Sequence, residues 1–184
     1  QWIQNNGNKY YFDSNGNMMK ETTWWMYDSS TGKQRVYSFD ENGVMRTGWY
    51  NGYYFDQSGQ AVKGYQNIDG NQYYFDENYQ LVKDGSIVID GELSYFNSFG
   101  KLVKKEVIIE NGWMLMPDGW YYAQDYRILE WQWITIGNKK YYLGNHGLMY
   151  ANRVEEIYDD TSGRYEYFWF GTDGTLRTGW YINS

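Results

Sequence analysis

Gly48-Trp49-Tyr50-Asn51-Gly52-Tyr53-Tyr54-Phe55-Asp56-Gln57-Ser58-Gly59-Gln60-Ala61-Val62-Lys63 reads as one complete β-hairpin with its exit turn, and Gly64-Tyr65-Gln66-Asn67-Ile68 starts the pattern again. Asn51-Gly52 between two aromatic runs is a strong short-range hairpin signal, because both residues tolerate the positive φ that a two-residue turn needs. Asp69-Gly70 does the same in the next hairpin, which returns through Tyr73-Tyr74-Phe75. Asp56 and Asp76, each directly after an aromatic core, are placed to accept backbone hydrogen bonds in the turns that follow.

Working outward, the same core recurs eight times: Tyr10-Tyr11-Phe12, Tyr37-Ser38-Phe39, Tyr53-Tyr54-Phe55, Tyr73-Tyr74-Phe75, Ser94-Tyr95-Phe96, Tyr121-Tyr122-Ala123, Tyr141-Tyr142-Leu143 and Phe168-Trp169-Phe170. Four residues after each core stands a glycine, except for Tyr79 and Arg127. Repetition at steps of 16 to 27 residues means a stacked array and not one globular core. The fold expected is all-β, a β-solenoid of about eight stacked β-hairpin repeats. Period-2 alternation sends Tyr53 and Phe55 to one face and Tyr54 to the other, without saying which face packs and which binds.

A longer period lies over the first. Shifted by 131 residues, Gln1–Tyr50 falls on Gln132–Tyr181 without a gap, and 18 of the 50 pairs are identical. Ordinary composition gives roughly one match in fifteen to twenty. The chain therefore reads as a single repeat array, residues 1–184, with residues 1–131 one long unit and 132–184 the start of a second, and as a segment of a longer repetitive protein.

Composition points the same way. Aromatic residues make up 22% of the chain, with 22 Tyr and 10 Trp, and 21 Gly accompany a single Pro. Such a chain buries itself through rings, each worth about 150–250 Å² of covered surface. A net charge of −7 argues against a nucleic-acid partner. No apolar stretch approaches the length of a membrane span, so membrane insertion is not expected, and Gln1 opens no signal peptide. Without cysteine there is neither a disulfide framework nor a thiolate metal site.

The run Ala61-Val62-Lys63-Gly64-Tyr65-Gln66-Asn67-Ile68-Asp69-Gly70, with Tyr73-Tyr74-Phe75-Asp76 and Gln80-Leu81-Val82-Lys83, resembles the repeats of the cell-wall-binding and glucan-binding superfamily. That superfamily includes the C-terminal domains of bacterial glucansucrases, streptococcal glucan-binding proteins, choline-binding modules and the repeats of large clostridial toxins. The resemblance covers essentially the whole chain. It implies a secreted or cell-surface protein of a Gram-positive bacterium that binds α-glucan, dextran-like, in shallow pockets where a ring stacks on sugar and Gln and Lys read hydroxyls. By position, the matching pocket would use Lys63, Tyr65, Gln66, Tyr73, Tyr74, Gln80 and Lys83.

The choline-binding branch places Trp directly before its paired tyrosines. Here that position reads Lys9, Val36, Gly52, Gln72, Leu93, Trp120, Lys140 and Tyr167, so only Trp120 conforms. Trp49 and Trp180 retain the other half of that motif and complete the candidate ligand-binding residues. Anchoring through choline or a teichoic-acid polymer is the alternative function, and a structural or receptor-binding spacer is a third.

No catalytic residue, metal site or cofactor is expected. His146 is the only histidine, no nucleophile or acid accompanies it, and Asp159-Asp160 sits in a long turn where Asp is common for structural reasons. An enzymatic parent of the glucansucrase type would keep its active site outside this chain. Asp13-Ser14-Asn15-Gly16-Asn17 imitates the start of a calcium loop, but Trp24 stands at the twelfth position where a bidentate Glu is required, leaving a turn. Trp24-Trp25 reads either as a sugar platform or as an interface to a neighbouring repeat. Lys104-Lys105-Glu106 reads as a solvated edge.

Overall fold

Four turns marked by an Asn-Gly or Asp-Gly pair close in the left-handed backbone such pairs allow: Asn6-Gly7, Asn51-Gly52, Asp69-Gly70 and Asp90-Gly91 have φ between 47° and 81° at both residues. In the computed structural model, which describes residues 1–28 and 32–178, these turns join antiparallel pairs of short strands. The chain divides into two compact units, one of Gln1–Lys83 with Ser98–Lys101 and one of Asp84–Asn97 with Leu102–Ser184.

The first unit holds four hairpins: β1 (Trp2–Asn5) with β2 (Asn8–Tyr11), β3 (Thr22–Asp28) with β4 (Lys33–Phe39), β5 (Gly48–Tyr50) with β6 (Tyr53–Phe55), and β7 (Gly64–Ile68) with β8 (Asn71–Phe75). Alternation along each returning strand decides what is buried. The third core residues Phe39, Phe55 and Phe75 are almost wholly buried, at about 2–3 kcal/mol of apolar stabilisation each. Aspartates close the exits as the sequence predicts: Asp56 Oδ1 accepts the N–H groups of Ser58 and Gln60, and Asp76 Oδ1 those of Asn78 and Gln80.

Two rules stack these hairpins. The residue six positions after a core phenylalanine donates its N–H to the residue just before the previous core: Met45 to the Lys9 carbonyl at 2.8 Å, Ala61 to Val36 at 2.9 Å, and Leu81 to Gly52 at 2.8 Å. That same residue's side chain meets the turn glycine of the following repeat. A Cβ on Gly43 would lie 2.8 Å from Met18 Sδ, and one on Gly59 would lie 2.2 Å from Met45 Sδ. These glycines are needed twice over, for positive φ and for close approach.

The second unit opens with a three-stranded sheet of β9 (Gly85–Ile89), β10 (Glu92–Phe96) and β11 (Leu102–Val107), in the order β11-β10-β9. The lysine-rich run lies on the edge strand β11, where Lys105 pairs with Glu92 and Lys104 with Glu106. Next come β12 (Asn111–Met116), β13 (Gly119–Gln124) and β14 (Arg127–Ile128), then β15 (Gln132–Ile136) with β16 (Lys139–Leu143). The last described sheet holds β17 (Arg153–Asp159), β18 (Arg164–Phe170) and β19 (Leu176–Arg177). The bounds of β17 and β18 are those of β3 and β4 advanced by 131 residues. Met149 repeats the stacking rule, donating its N–H to the Trp120 carbonyl at 2.8 Å, while a Cβ on Gly174 would meet Met149 Cε at 2.3 Å.

One Asn-Gly pair does not close a turn: Asn111-Gly112 starts β12, with Gly112 paired to Ala123. The chain reverses only at Pro117-Asp118, where Asp118 is occupied by a different task. Its carboxylate accepts the Ser86 N–H at 2.9 Å, the Ser86 hydroxyl at 2.8 Å and the Tyr121 hydroxyl at 2.7 Å. Burial pushes the Tyr121 phenol far above the ordinary tyrosine range. Arg127 lies in β14 because Asp125 and Tyr126 form the left-handed turn one step earlier than glycine does elsewhere.

Candidate functional site

Five outgoing strands, β1, β5, β7, β12 and β15, carry an aromatic ring opposite the middle residue of the returning core, so the cross-strand pair shares a face. Trp2 faces Tyr11, Trp49 faces Tyr54, Trp113 faces Tyr122 and Trp133 faces Tyr142, all edge-on with centroids 5.0–5.1 Å apart. Each of these tryptophans also meets the first aromatic of the next repeat: Trp2 with Tyr37, Trp49 with Tyr73, Trp113 with Tyr141 and Trp133 with Phe168, at 4.9–5.0 Å. The indole is thus a shared wall between consecutive hairpins. Trp2 and Trp49 keep 43% and 44% of their surface exposed, enough for a ligand to stack.

Two open cavities form at equivalent junctions. In the first unit a cavity of about 460 Å³ is walled by Trp2 and Tyr37, floored by Met45, and rimmed by the polar side chains of Gln4, Lys9, Ser58 and Gln60. In the second, a cavity of about 220 Å³ is lined by Trp113, Tyr141 and Met149, with Trp120 where the first has Lys9 and Asp173 where the first has Ser58. The correspondence is positional: Lys9 and Trp120 both precede a paired-tyrosine core, and Ser58 and Asp173 both stand three residues after a core phenylalanine.

That change of two side chains alters the chemistry. Around Trp2, one exposed indole with amide, ammonium and hydroxyl groups suits a sugar ring whose apolar face stacks and whose hydroxyls are read individually. Around Trp113, the rings of Trp113 and Trp120 stand at 85° with centroids 6.4 Å apart, Tyr141 lies 5.0 Å from Trp113, and a carboxylate stands on the lining. Three rings suit a soft cation, while the carboxylate is already paired with Arg177 at 2.7 Å and Lys139 at 3.6 Å. Hydrogen bonding by Thr175, aided by Arg177 and Lys139, holds Asp173 below the usual carboxylate range.

The residues singled out in the sequence are distributed as follows. Trp49 and Tyr73 form the wall equivalent to Trp2 and Tyr37, with Tyr73 buried in the core beside Ile68 and Phe75. Gln80 reaches back over the preceding turn, where a Cβ on Gly52 would lie 2.7 Å from its Oε1. Tyr65 and Tyr74 pair edge-on at 5.0 Å and lie on the opposite face of their hairpin from the Gln66–Tyr73 pair. The Gln66 amide donates to the Lys63 carbonyl at 2.8 Å. Lys63 bonds Glu77 at 2.9 Å, which raises its pKa, and lies 4.4 Å from the Tyr79 ring centre. Lys83 is exposed. Trp180 lies outside the described residues. Trp49 and Tyr73 thus share a wall, and Gln80 lies against the turn of the same hairpin as Trp49.

Trp2, Lys9, Tyr37, Met45 and Gln60 were not singled out as a site, although the Lys9 and Tyr37 positions were visible as repeat equivalents. The signal lies in combining the residue before one core, the first residue of the next core and the methionine six beyond it. Trp25 meets Tyr79 of a later repeat at 5.3 Å, so the Trp24-Trp25 pair serves at least in part as an interface between repeats. Among the described residues no group of three His, Asp or Glu side chains could hold a metal ion, and no helix is long and apolar enough to cross a membrane.

Parts of the chain match known repeat families. A family described as a choline-binding repeat matches residues 62–107, and one described as a putative cell wall binding repeat matches residues 1–18 and 132–149. Glucosyltransferase-S of Streptococcus mutans serotype c is 28% identical over an alignment covering 95% of this chain and 13% of that protein. Glucosyltransferase-I of Streptococcus downei is 26% identical, over 97% of this chain and 10% of its own length. The chain thus spans only a small part of these relatives. Among solved structures, choline binding protein F from Streptococcus pneumoniae, crystallised with a peptidoglycan analogue, is 24% identical with a TM-score of 0.46, covering 96% of this chain and 57% of that one.

Proposed function

We propose, from the premise that this chain belongs to the cell-wall-binding and glucan-binding repeat superfamily, that it is a non-catalytic carbohydrate-binding module holding a secreted bacterial surface protein on dextran-like α-glucan. The repeat array over residues 1–184 is part of this reading, as is the junction of Trp49, Tyr73 and Gln80 with Lys63, Tyr65, Gln66, Tyr74 and Lys83 around it. The observation that carries it is the cavity at Trp2 and Tyr37, where one exposed ring is ringed by Gln4, Lys9, Ser58 and Gln60. Each junction binds weakly, and several on one chain raise the apparent affinity for a polymer through effective concentration. Any glycosyl transfer by the whole protein would take place outside this chain. Native electrophoresis through gels containing dextran tests the reading. Retardation that short isomalto-oligosaccharides relieve only at high concentration supports it, and unchanged mobility refutes it.

A second reading rests on the box of Trp113, Trp120 and Tyr141 with Asp173, which suits a quaternary ammonium group such as choline on a teichoic acid. Elution of the protein from a choline-substituted matrix by free choline tests it.

A further inference from the structure

The cavity at Trp2 has a neighbour. A second opening of about 350 Å³ shares the Trp2 and Tyr37 walls and is completed by Tyr11, Met26, Tyr27 and Arg35. Four of its six lining residues are aromatic, and Tyr27 is 71% exposed. Arg35 faces Met26 across the β3–β4 hairpin and is the cation of this lining, as Lys9 is of the first. The edge-on Trp2–Tyr37 pair, 4.9 Å between centroids, is common to both openings.

We propose that this second opening is an adjoining sugar subsite, so that the Trp2 junction takes at least two consecutive residues of an α-glucan with the indole between them. The inference rests on the glucan reading above and deepens it. Stacking on Tyr27 or Tyr11 supplies the apolar contact, and Arg35, on the lining, brings N–H donors of the kind a sugar hydroxyl oxygen accepts. The equivalent long hairpin lacks this chemistry. There Glu166 stands in place of Arg35 and accepts from the Arg164 Nε at 3.0 Å, and Ile157 replaces Met26. The subsite therefore belongs to the first long hairpin alone, and chain-length selectivity resides at this junction in addition to any gained by multivalency.

The experiment follows the Trp2 indole N–H resonance, assigned by its loss in Trp2→Phe, during titration with glucose, isomaltose and isomaltotriose. The affinity read at Trp2 should rise about tenfold from glucose to the longer sugars. Arg35→Gln and Tyr27→Ala should each flatten that rise, while Glu166→Gln leaves it intact; retained spectral dispersion verifies that each variant is folded. A rise that survives both Arg35→Gln and Tyr27→Ala overturns the subsite and leaves the Trp2 cavity standing. Failure of every sugar to shift the Trp2 signal overturns the glucan reading itself. Tighter, salt-sensitive binding of dextran sulfate than of dextran, lost in Arg35→Gln, would instead make Arg35 an anion contact and overturn the neutral subsite.

Discussion

Tyr79 occupies, at φ 64°, the turn position that glycine holds in the repeats before and after it, and its ring packs in the cluster that includes Ala61. Tyr79 and Ala61 explain each other. Where Met45 or Leu81 projects from one repeat, the next must supply a glycine, since a Cβ on Gly59 or Gly100 would come within 2.2 Å or 2.7 Å of that side chain. Ala61 projects nothing comparable, and a large residue fills the space. Tyr79 then reaches further back, donating its hydroxyl to the Gln34 carbonyl at 3.2 Å and meeting Trp25 edge-on.

This pairing predicts a rescue. Ala61→Met should destabilise the first unit by about 1–3 kcal/mol through overpacking against Tyr79. Tyr79→Gly should cost about 2–4 kcal/mol, the loss of a buried ring less the relieved left-handed strain. The double variant restores the methionine–glycine contact of the neighbouring repeats and should be more stable than the sum of the single losses allows. Urea denaturation of the four proteins measures that coupling.

Glycines with and without close neighbours should separate in the same assay. Gly59→Ala meets both left-handed backbone at φ 82° and the Met45 sulfur, and should cost about 2–4 kcal/mol. Gly64→Ala, at φ 68° with nothing within 4 Å of the added carbon, should cost only the backbone strain of about 1–2 kcal/mol. Equal losses at the two sites would mean that the inter-repeat contact contributes nothing.

The two cavity chemistries should be separable by single substitutions. Lys9→Ala should weaken retardation in dextran gels while leaving choline elution unaffected. Trp120→Lys should do the reverse, lowering choline affinity about tenfold for a lost cation–π contact of about 1–2 kcal/mol. Because Asp173 is held below the ordinary carboxylate range, its pairing with Arg177 and Lys139 survives as the medium is acidified, and choline binding on the rings should persist at about pH 4.5.

Alkaline stability should report on Tyr121. Its folded pKa is raised above the unfolded value of 10.0, so its contribution is fully present below about pH 10 and declines as pH rises beyond it, because only the unfolded chain ionises readily. Tyr121→Phe should flatten that decline above about pH 10, although it forfeits the hydrogen bond to Asp118. Asp118→Ala, which strands the Ser86 and Tyr121 donors, should cost about 2–4 kcal/mol near neutrality. Thermal melts from pH 7 to 11 follow both effects.

Local chemistry was legible in the sequence because turns and alternation act over a few residues. Asn51-Gly52 and Asp69-Gly70 could hardly close otherwise, and Asp56 and Asp76 cap the turns immediately beyond them. The 131-residue shift is likewise mirrored in strand bounds, since equal spacing between turns leaves equal lengths for strands. Asn111-Gly112 carries the same dipeptide yet sits in a strand, because its cross-strand partners, Gln124 and Ala123, are supplied from beyond Pro117.

Residue order carries the repeat, its turn types, its all-β character and the kinds of side chain along each strand. Which of these side chains share a wall follows from the folding of one repeat onto the next. Trp2, Tyr37 and Ser58 line one cavity although they come from three successive repeats, and Tyr79 touches Gln34 across 45 residues. Inter-repeat hydrogen bonds and a methionine seated on a glycine set those meetings. Those contacts have no fixed spacing along the chain, so residue order alone does not disclose them.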